Sequence, residues 1–301
     1  MRLTKNELSY LGKIYQGTNP LALFSSIKET LHGDEEKTLE AKGVLKGGKP
    51  AEEAHKLLNI AAEPQKCTRL VLKDGVYFIE KYAYKTKDGH VFAENDGGDV
   101  IFSQEKQMDE ILFQLSQWTG ASDCKTFDLE MTVSNHELPV LFAVADLRRE
   151  TELLSYLGKE TENMISLGRI REQLQNPVKG SLTSILTGHY DFPVPNEEET
   201  VKILESLTAK KIAAFNAGYT LVGPYEEFAR SFLIPQSIVL LETFHLTEKK
   251  EILGAGVLCI WAGMREILSL VFREGEVEIA SISGRQLLKM MEDFLNCPDV
   301  L

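Results

Sequence analysis

The chain has little of what marks a stapled or metal-held protein. Its 301 residues contain four cysteines, Cys67, Cys124, Cys259 and Cys297, spaced 57, 135 and 38 residues apart, with no Cys-x-x-Cys pair. That spacing is not a zinc pattern. Cys67 and Cys259 lie in apolar runs, where cysteine behaves as a small buried hydrophobe, so a reduced protein is expected. Positive charge is also scarce: 33 basic against 45 acidic side chains leave a net charge of -12. Neither half compensates, since residues 1–150 carry 19 basic and 24 acidic groups and residues 151–301 carry 14 and 21. Such a surface opposes a phosphate backbone rather than attracting it. Long hydrophobic runs are missing as well. The most apolar stretch, Ile252 to Ala262, has 11 residues, against about 20 for a membrane helix. Met1 to Glu7 turns polar at once, unlike a signal peptide, so the cytoplasm is the expected location.

Catalytic patterns fail on inspection. His136-Glu137-Leu138-Pro139-Val140 opens like a zinc-protease helix, but Val140 stands where the second histidine must share the metal. Gly254-Ala255-Gly256 lacks the third glycine of a dinucleotide loop and falls between predicted strands. The chain contains no Gly-x-x-x-x-Gly-Lys-Ser/Thr loop and no Gly-x-Ser-x-Gly elbow. Glu94 to Asp99 is rich in oxygen ligands yet reads as a hairpin turn, because a calcium loop needs a glutamate at a fixed distance. His189-Tyr190-Asp191 places an imidazole near a carboxylate with no nucleophile motif beside it. The expectation is a protein that is not an enzyme and uses no cofactor or metal.

What the sequence does have is organisation. Thr4 and Glu7 form a capping box ahead of Leu8, Leu11 and Ile14 at helical spacing. A second helix is predicted over Leu21 to Leu31, a third over Glu35 to Lys42, and a fourth from Pro50 to about Ala62. After Pro64 the period becomes extended. Four strands, Cys67 to Leu72, Val76 to Tyr84, His90 to Glu94 and Asp99 to Phe102, are separated by Asp74-Gly75, Asp88-Gly89 and Gly97-Gly98, the pattern of an antiparallel meander. An amphipathic helix over Gln104 to Trp118 follows.

The order then repeats. Helices are predicted over Glu197 to Ser206 and Thr208 to Phe215, with another opening at Pro224. Strands follow at Ile238 to Leu246, Ile252 to Ala262, Met264 to Phe272 and Glu276 to Ile282, and a final helix starts at Gly284. Pro50-Ala51-Glu52-Glu53 matches Pro224-Tyr225-Glu226-Glu227, and Glu63-Pro64-Gln65 matches Ile234-Pro235-Gln236, at offsets of 174 and 171 residues. An internal duplication is the expectation. The fold class is α+β, with two pseudo-symmetric halves, each an antiparallel meander with flanking helices. The divisions are 1–122, then 123–196 for a connecting strand, helices and linker, then 197–301. Within the connection, Thr126 to Ser134 is extended, Glu137 to Leu157 and Thr161 to Leu174 are helical, and Asn176 to Asn196 is a breaker-rich linker.

Small helices leading into a meander also suit a winged-helix regulator, an alternative that the acidic charge opposes. The chain resembles the EspG family of type VII (ESX) secretion chaperones. The resemblance rests on Leu3-Thr4-Lys5-Asn6-Glu7-Leu8, the helix before Glu63-Pro64, the meander after it, and Gly218-Tyr219-Thr220-Leu221 with Phe228-Ala229 and Ile234-Pro235. It implies a cytosolic, non-enzymatic protein that binds a helical secretion substrate and keeps its apolar tip covered, with two pseudo-symmetric halves around an antiparallel sheet.

Two places present themselves for such a partner. One is the first meander, where alternation puts Tyr82 and Tyr84 on one face with Phe78 and Glu80, beside a hairpin with Lys85, Lys87 and Asp88 as a polar rim. The other is the final helix with Met290 and Met291. At low salt the chain is expected to leave a labelled DNA duplex unretarded in a gel-shift assay. Salt-sensitive retardation would move the reading to the winged-helix regulator.

Overall fold

The computed structural model describes residues 1–16, 19–75, 77–87, 89–105, 108–120, 122–125, 127–161, 164–231, 235, 237–262 and 266–300. The chain opens with strand β1 (Arg2–Thr4), helices α1 (Lys5–Ile14), α2 (Leu23–Ser26) and α3 (Glu35–Ala41), a short hairpin of β2 (Leu45–Lys46) and β3 (Lys49–Pro50), and α4 (Glu52–Ala62). A four-stranded meander follows, β4 (Lys66–Asp74), β5 (Tyr77–Thr86), β6 (Gly89–Asp96) and β7 (Asp99–Glu105), closed by α5 (Met108–Thr119). Next come β8 (Glu130–Ser134), α6 (Glu137–Tyr156), α7 (Leu167–Gln175), α8 (Leu182–His189) and α9 (Glu197–Ala209). The final third holds the hairpin β9 (Ala213–Phe215) and β10 (Tyr219–Leu221), α10 (Pro224–Ser231), a second meander of β11 (Ser237–Leu246), β12 (Ile252–Ala262), β13 (Glu266–Phe272) and β14 (Glu276–Ile282), and α11 (Gly284–Leu295). Helix, short hairpin, helix, four-stranded meander, helix thus occurs twice along the chain.

Four local expectations are corrected. The second helix shrinks to α2, because the chain is already extended at its C-cap Ile27. Thr208 to Phe215 is not one helix: α9 stops at Ala209, Lys211 turns left-handed at φ 59°, and β9 begins. The linker contains α8, whose N-cap Ser181 accepts from the Ser184 N–H. The helix expected from Thr161 begins only at Leu167, where Ser166 is the cap. The start of the third strand of the second meander, Met264, lies outside the described residues, as do Ile234 and Gln236 of the proline match.

Two compact units result, and neither is continuous in sequence. The first comprises Met1–Thr119, Val239–Gly256 and Leu288–Leu301; the second comprises Gly120–Ile238 and Val257–Leu287. This partition differs from a division at 122 and 196, because strands pair by hydrogen bonding and not by chain order. In the first unit the strand order is β1-β7-β6-β5-β4-β11, with the start of β12 beside β11. Register is antiparallel throughout the first meander, with Arg69 opposite Tyr82, Tyr82 opposite Ala93, and Ala93 opposite Phe102. Cross-strand partners share a face, so Cys67, Tyr84, Val91, Ala93, Val100, Phe102 and Leu3 project together. They form one core with Leu8 and Leu11 of α1, Leu39 of α3 and Leu58 and Ala61 of α4. The Thr4–Glu7 capping box is present, and Glu7 also pairs with Lys42 at 2.7 Å.

In the second unit the order is β12-β13-β14-β8. Its centre is α6, buried from Glu137 to Arg149 and packed by α7, α8, α9 and α10. Pro139 is tolerated because it occupies the first turn, where a missing N–H breaks no helical bond. Buried charges anchor the neighbours. Asp146 accepts from the backbone N–H groups of Leu182 and Thr183, both at 2.8 Å, and from Thr183 Oγ1 at 2.7 Å, and it pairs with Arg149 one turn on. Glu137 accepts from the Ser134 N–H, from Ser206 Oγ and from Lys210 Nζ, each at 2.7 Å.

Burial works to raise the Glu137 pKa, but Lys210 and the Ser134 and Ser206 donors outweigh it and hold the carboxyl below the ordinary range. A depressed folded-state pKa contributes stability above the unfolded pKa that is lost as pH falls through the folded one. Glu137→Gln should therefore lower stability at neutral pH and flatten the acid side of a urea-midpoint-against-pH curve. An unchanged acid limb would refute this role.

Candidate functional site

The residues expected to meet a partner lie at the end of β5, and the structure separates them. Tyr84 is fully buried, so it is no surface side chain. The face read as exposed is the face that α1, α3 and α4 cover, and alternation alone cannot tell which side of a strand receives the helices. Its phenol lies beside the Cys67 thiol, and its oxygen has no partner of good hydrogen-bond geometry. Burial pushes that phenol well above its ordinary pKa, with Cys67 next in effect.

Tyr82 is half-buried against the same core. Its hydroxyl donates to Glu80 Oε1 at 3.1 Å, and Arg69 Nε donates to the same oxygen at 2.7 Å. Arg69 also reaches Glu242 at 3.0 Å, and Asn95 donates to the other oxygen of Glu80. Burial, followed by the Glu80 charge, raises Tyr82 to about 12. Glu80 beside Tyr82 is therefore the acceptor of a polar cluster at the margin of the core. Phe78 on this strand is 58% exposed.

Lys85 and Lys87 are exposed as expected, while Asp88 lies outside the described residues. Neither lysine has an ion-pair partner among the described residues. Thr86 Oγ1 donates to the Gly89 carbonyl at 3.0 Å and closes the hairpin. Of the second candidate pair, Met291 is wholly buried in the core and Met290 half-buried.

What sequence reading missed is a cleft of about 740 Å³ in the first unit beside this strand end. Its walls are the end of α4 (Asn59, Ile60, Glu63), Pro64 to Lys66, Tyr84 to Thr86, and Asn296 to Asp299 after α11. Three stretches separated in sequence build it: pairing of β4 with β5 brings the first two together, and the segment after α11 adds the third. Ile60, Pro64, Tyr84, Cys297 and Pro298 give it an apolar lining, and Lys66, Lys85, Glu63 and Asp299 give it a charged rim. A second concavity of about 540 Å³ lies in the second unit beside Asp146, Arg149, Gln173 and Ser181. Its polar groups are engaged with one another: Gln173 Nε2 donates to Asp146 at 3.3 Å and Ser181 at 3.2 Å.

Among the described residues no group of three or more His, Cys, Asp or Glu side chains is placed to hold a metal. His136 stands at the N-cap of α6 and His189 ends α8. Among the described residues no helix is long and apolar enough to cross a membrane.

The fold is α+β, a large antiparallel sheet with flanking helices, as the family resemblance implied. One similar solved structure is that of the Mycobacterium tuberculosis type VII secretion system chaperone EspG5 in complex with a PE25–PPE41 dimer, with a TM-score of 0.55 and 8% identity over 99% of this chain and 96% of that one. At that identity the likeness is one of fold. No family model and no curated protein matches the sequence.

The buried, poorly partnered phenol makes a sharp expectation. Tyr84→Phe should leave stability within about 1 kcal/mol of wild type or raise it, because it removes a polar atom with no good partner. Tyr84→Ala should cost about 3–5 kcal/mol by emptying the core. Urea unfolding separates the two. A loss above about 2 kcal/mol for Tyr84→Phe would mean that the hydroxyl is held after all.

Proposed function

We propose that the chain is a non-enzymatic, cytoplasmic protein-binding protein of the secretion-chaperone kind, which holds a helical client and covers the client's apolar surface. The observation that carries this reading is the fold likeness, which runs over 99% of the chain to a chaperone whose structure was determined with a protein dimer bound. A net charge of -12 is consistent with a protein partner and not with a phosphate backbone. No observation favours the winged-helix alternative. We also take the two recurrences of helix, hairpin, helix, meander and helix as copies of one ancestral unit.

The contact surface in this proposal is the strand end with Lys85 and Lys87 and the cleft beside it. A helical client would offer an apolar stripe at i, i+3, i+4 spacing. Ile60, Pro64 and Pro298 then provide apolar contact, and the lysines form a rim that steers charged flanks of the client. Tyr82 and Tyr84 act beneath this surface as its support.

Affinity-tagged protein purified from its native cells is expected to carry a helix-rich protein in stoichiometric amount. Lys85→Glu with Lys87→Glu should reduce that recovery about tenfold, equivalent to ~1.4 kcal/mol, with an unchanged melting temperature. Undiminished recovery would remove this strand end from the proposal. The absence of any stoichiometric protein would remove the proposal itself.

A further inference from the structure

We propose that the segment after α11, Pro298 to Val300, is a strap that closes the cleft over the Cys297 thiol and is held shut by the Lys66–Asp299 ion pair. The inference concerns the cleft taken above as the contact surface, and it assigns that surface a closed and an open form.

The chain leaves α11 at Leu295 and turns sharply. Cys297 adopts φ 49°, the left-handed region that disfavours a residue with a side chain. Pro298 follows and prevents any return to helix. The turn directs Asn296 to Asp299 along the cleft, where they form one of its walls. Cys297 is 3% exposed, and its thiol donates to the Ala83 carbonyl at 3.4 Å. Burial raises its pKa, so it is kept in the unreactive thiol form.

Beyond Cys297 the attachment changes character. Among the described residues no backbone hydrogen bond ties residues 298 to 300 to the rest of the unit. The tie is electrostatic. Asp299 Oδ1 lies 2.5 Å from Lys66 Nζ and 4.0 Å from His245 Nδ1. Lys66 is 33% and Asp299 63% exposed, so water and salt weaken the attraction. A strained left-handed turn at one end and a screened ion pair at the other describe a segment that opens at little cost. Its opening would widen the cleft and uncover Cys297.

Iodoacetamide labelling, read at each cysteine by mass spectrometry, tests the strap without any client. Cys124 is exposed and Cys259 wholly buried in β12, and they serve as fast and slow internal references. Asp299→Asn and Lys66→Met should each label Cys297 about three- to fivefold faster at fixed pH, with Cys259 unchanged. The pair discriminates: loss of the lysine charge alone would make the thiolate less favourable and slow the reaction, so acceleration in both variants reads opening. Raising salt should accelerate wild type and leave Asp299→Asn unaffected. Cys297 labelling that stays slow in Lys66→Met, or that rises only in step with Cys259, would overturn the proposal. A client that fails to bind would bear on the proposed function and leave this measurement intact.

Discussion

The arrangement depends on how one face of the first meander is covered. Leu3, Cys67, Tyr84, Val91, Ala93, Val100 and Phe102 project from five strands onto the same side and meet α1, α3 and α4. Each large side chain removed from water there contributes roughly 1.5–3 kcal/mol, and none can do so without the helices. The N-terminal helices are therefore the second layer of the sheet and not an appendage to it. Because this layer occupies the face that carries the tyrosines, the proposed contact surface is placed at the strand end and the cleft beside it.

The second unit solves a different problem with charge. A helix buried on nearly all sides has no polar face to give away, yet α6 carries Glu137, Asp146 and Arg149 in its buried stretch. Glu137 and Asp146 are given partners from other elements, and Arg149 pairs with Asp146 within the helix. Asp146 caps the start of α8, and Glu137 gathers Ser134, Ser206 and Lys210. Buried ion pairs are weak as net stabilisers but severe when one member is lost, so these contacts specify which helices dock on α6 more than they add to stability. The contrast with Lys66–Asp299 is one of solvent. The same pairing of opposite charges locks a helix inside the second unit and only latches a segment at the surface of the first.

Much of the local structure was legible in the sequence because its causes are local. The Thr4–Glu7 capping box, the Pro224 helix start and the Gly-rich turns between strands act over three or four residues and appear where the residue pattern puts them, whereas Pro50, read as a helix start, ends strand β3 and the helix begins at Glu52. The failures are local too, but their causes are not. The helix read over Leu21 to Leu31 has suitable apolar spacing, yet Asn19 donates to the Pro64 carbonyl and Ser9 to that of Ile27, which fixes an irregular path. The linker that turned out to contain α8 has breakers at both ends, and the residue that organises the helix, Asp146, lies 36 positions earlier.

The candidate site divides the same way. Exposure of Lys85 and Lys87 followed from their place at a hairpin, which any strand pair would share. The burial of Tyr84 did not, since period-two alternation defines two faces without saying which is covered. By itself the sequence determined most of the helices, the two meanders and the recurrence of their order, the acidic charge and the failure of each catalytic motif, because these rest on residue chemistry and short spacing. Tertiary structure alone decided which face of the meander is core, that Val239–Gly256 and Leu288–Leu301 join the first unit, and that Asp299 meets Lys66 across 233 positions. Those outcomes follow from strand pairing and burial between distant segments, where the free energy depends on partners that no local window of sequence contains.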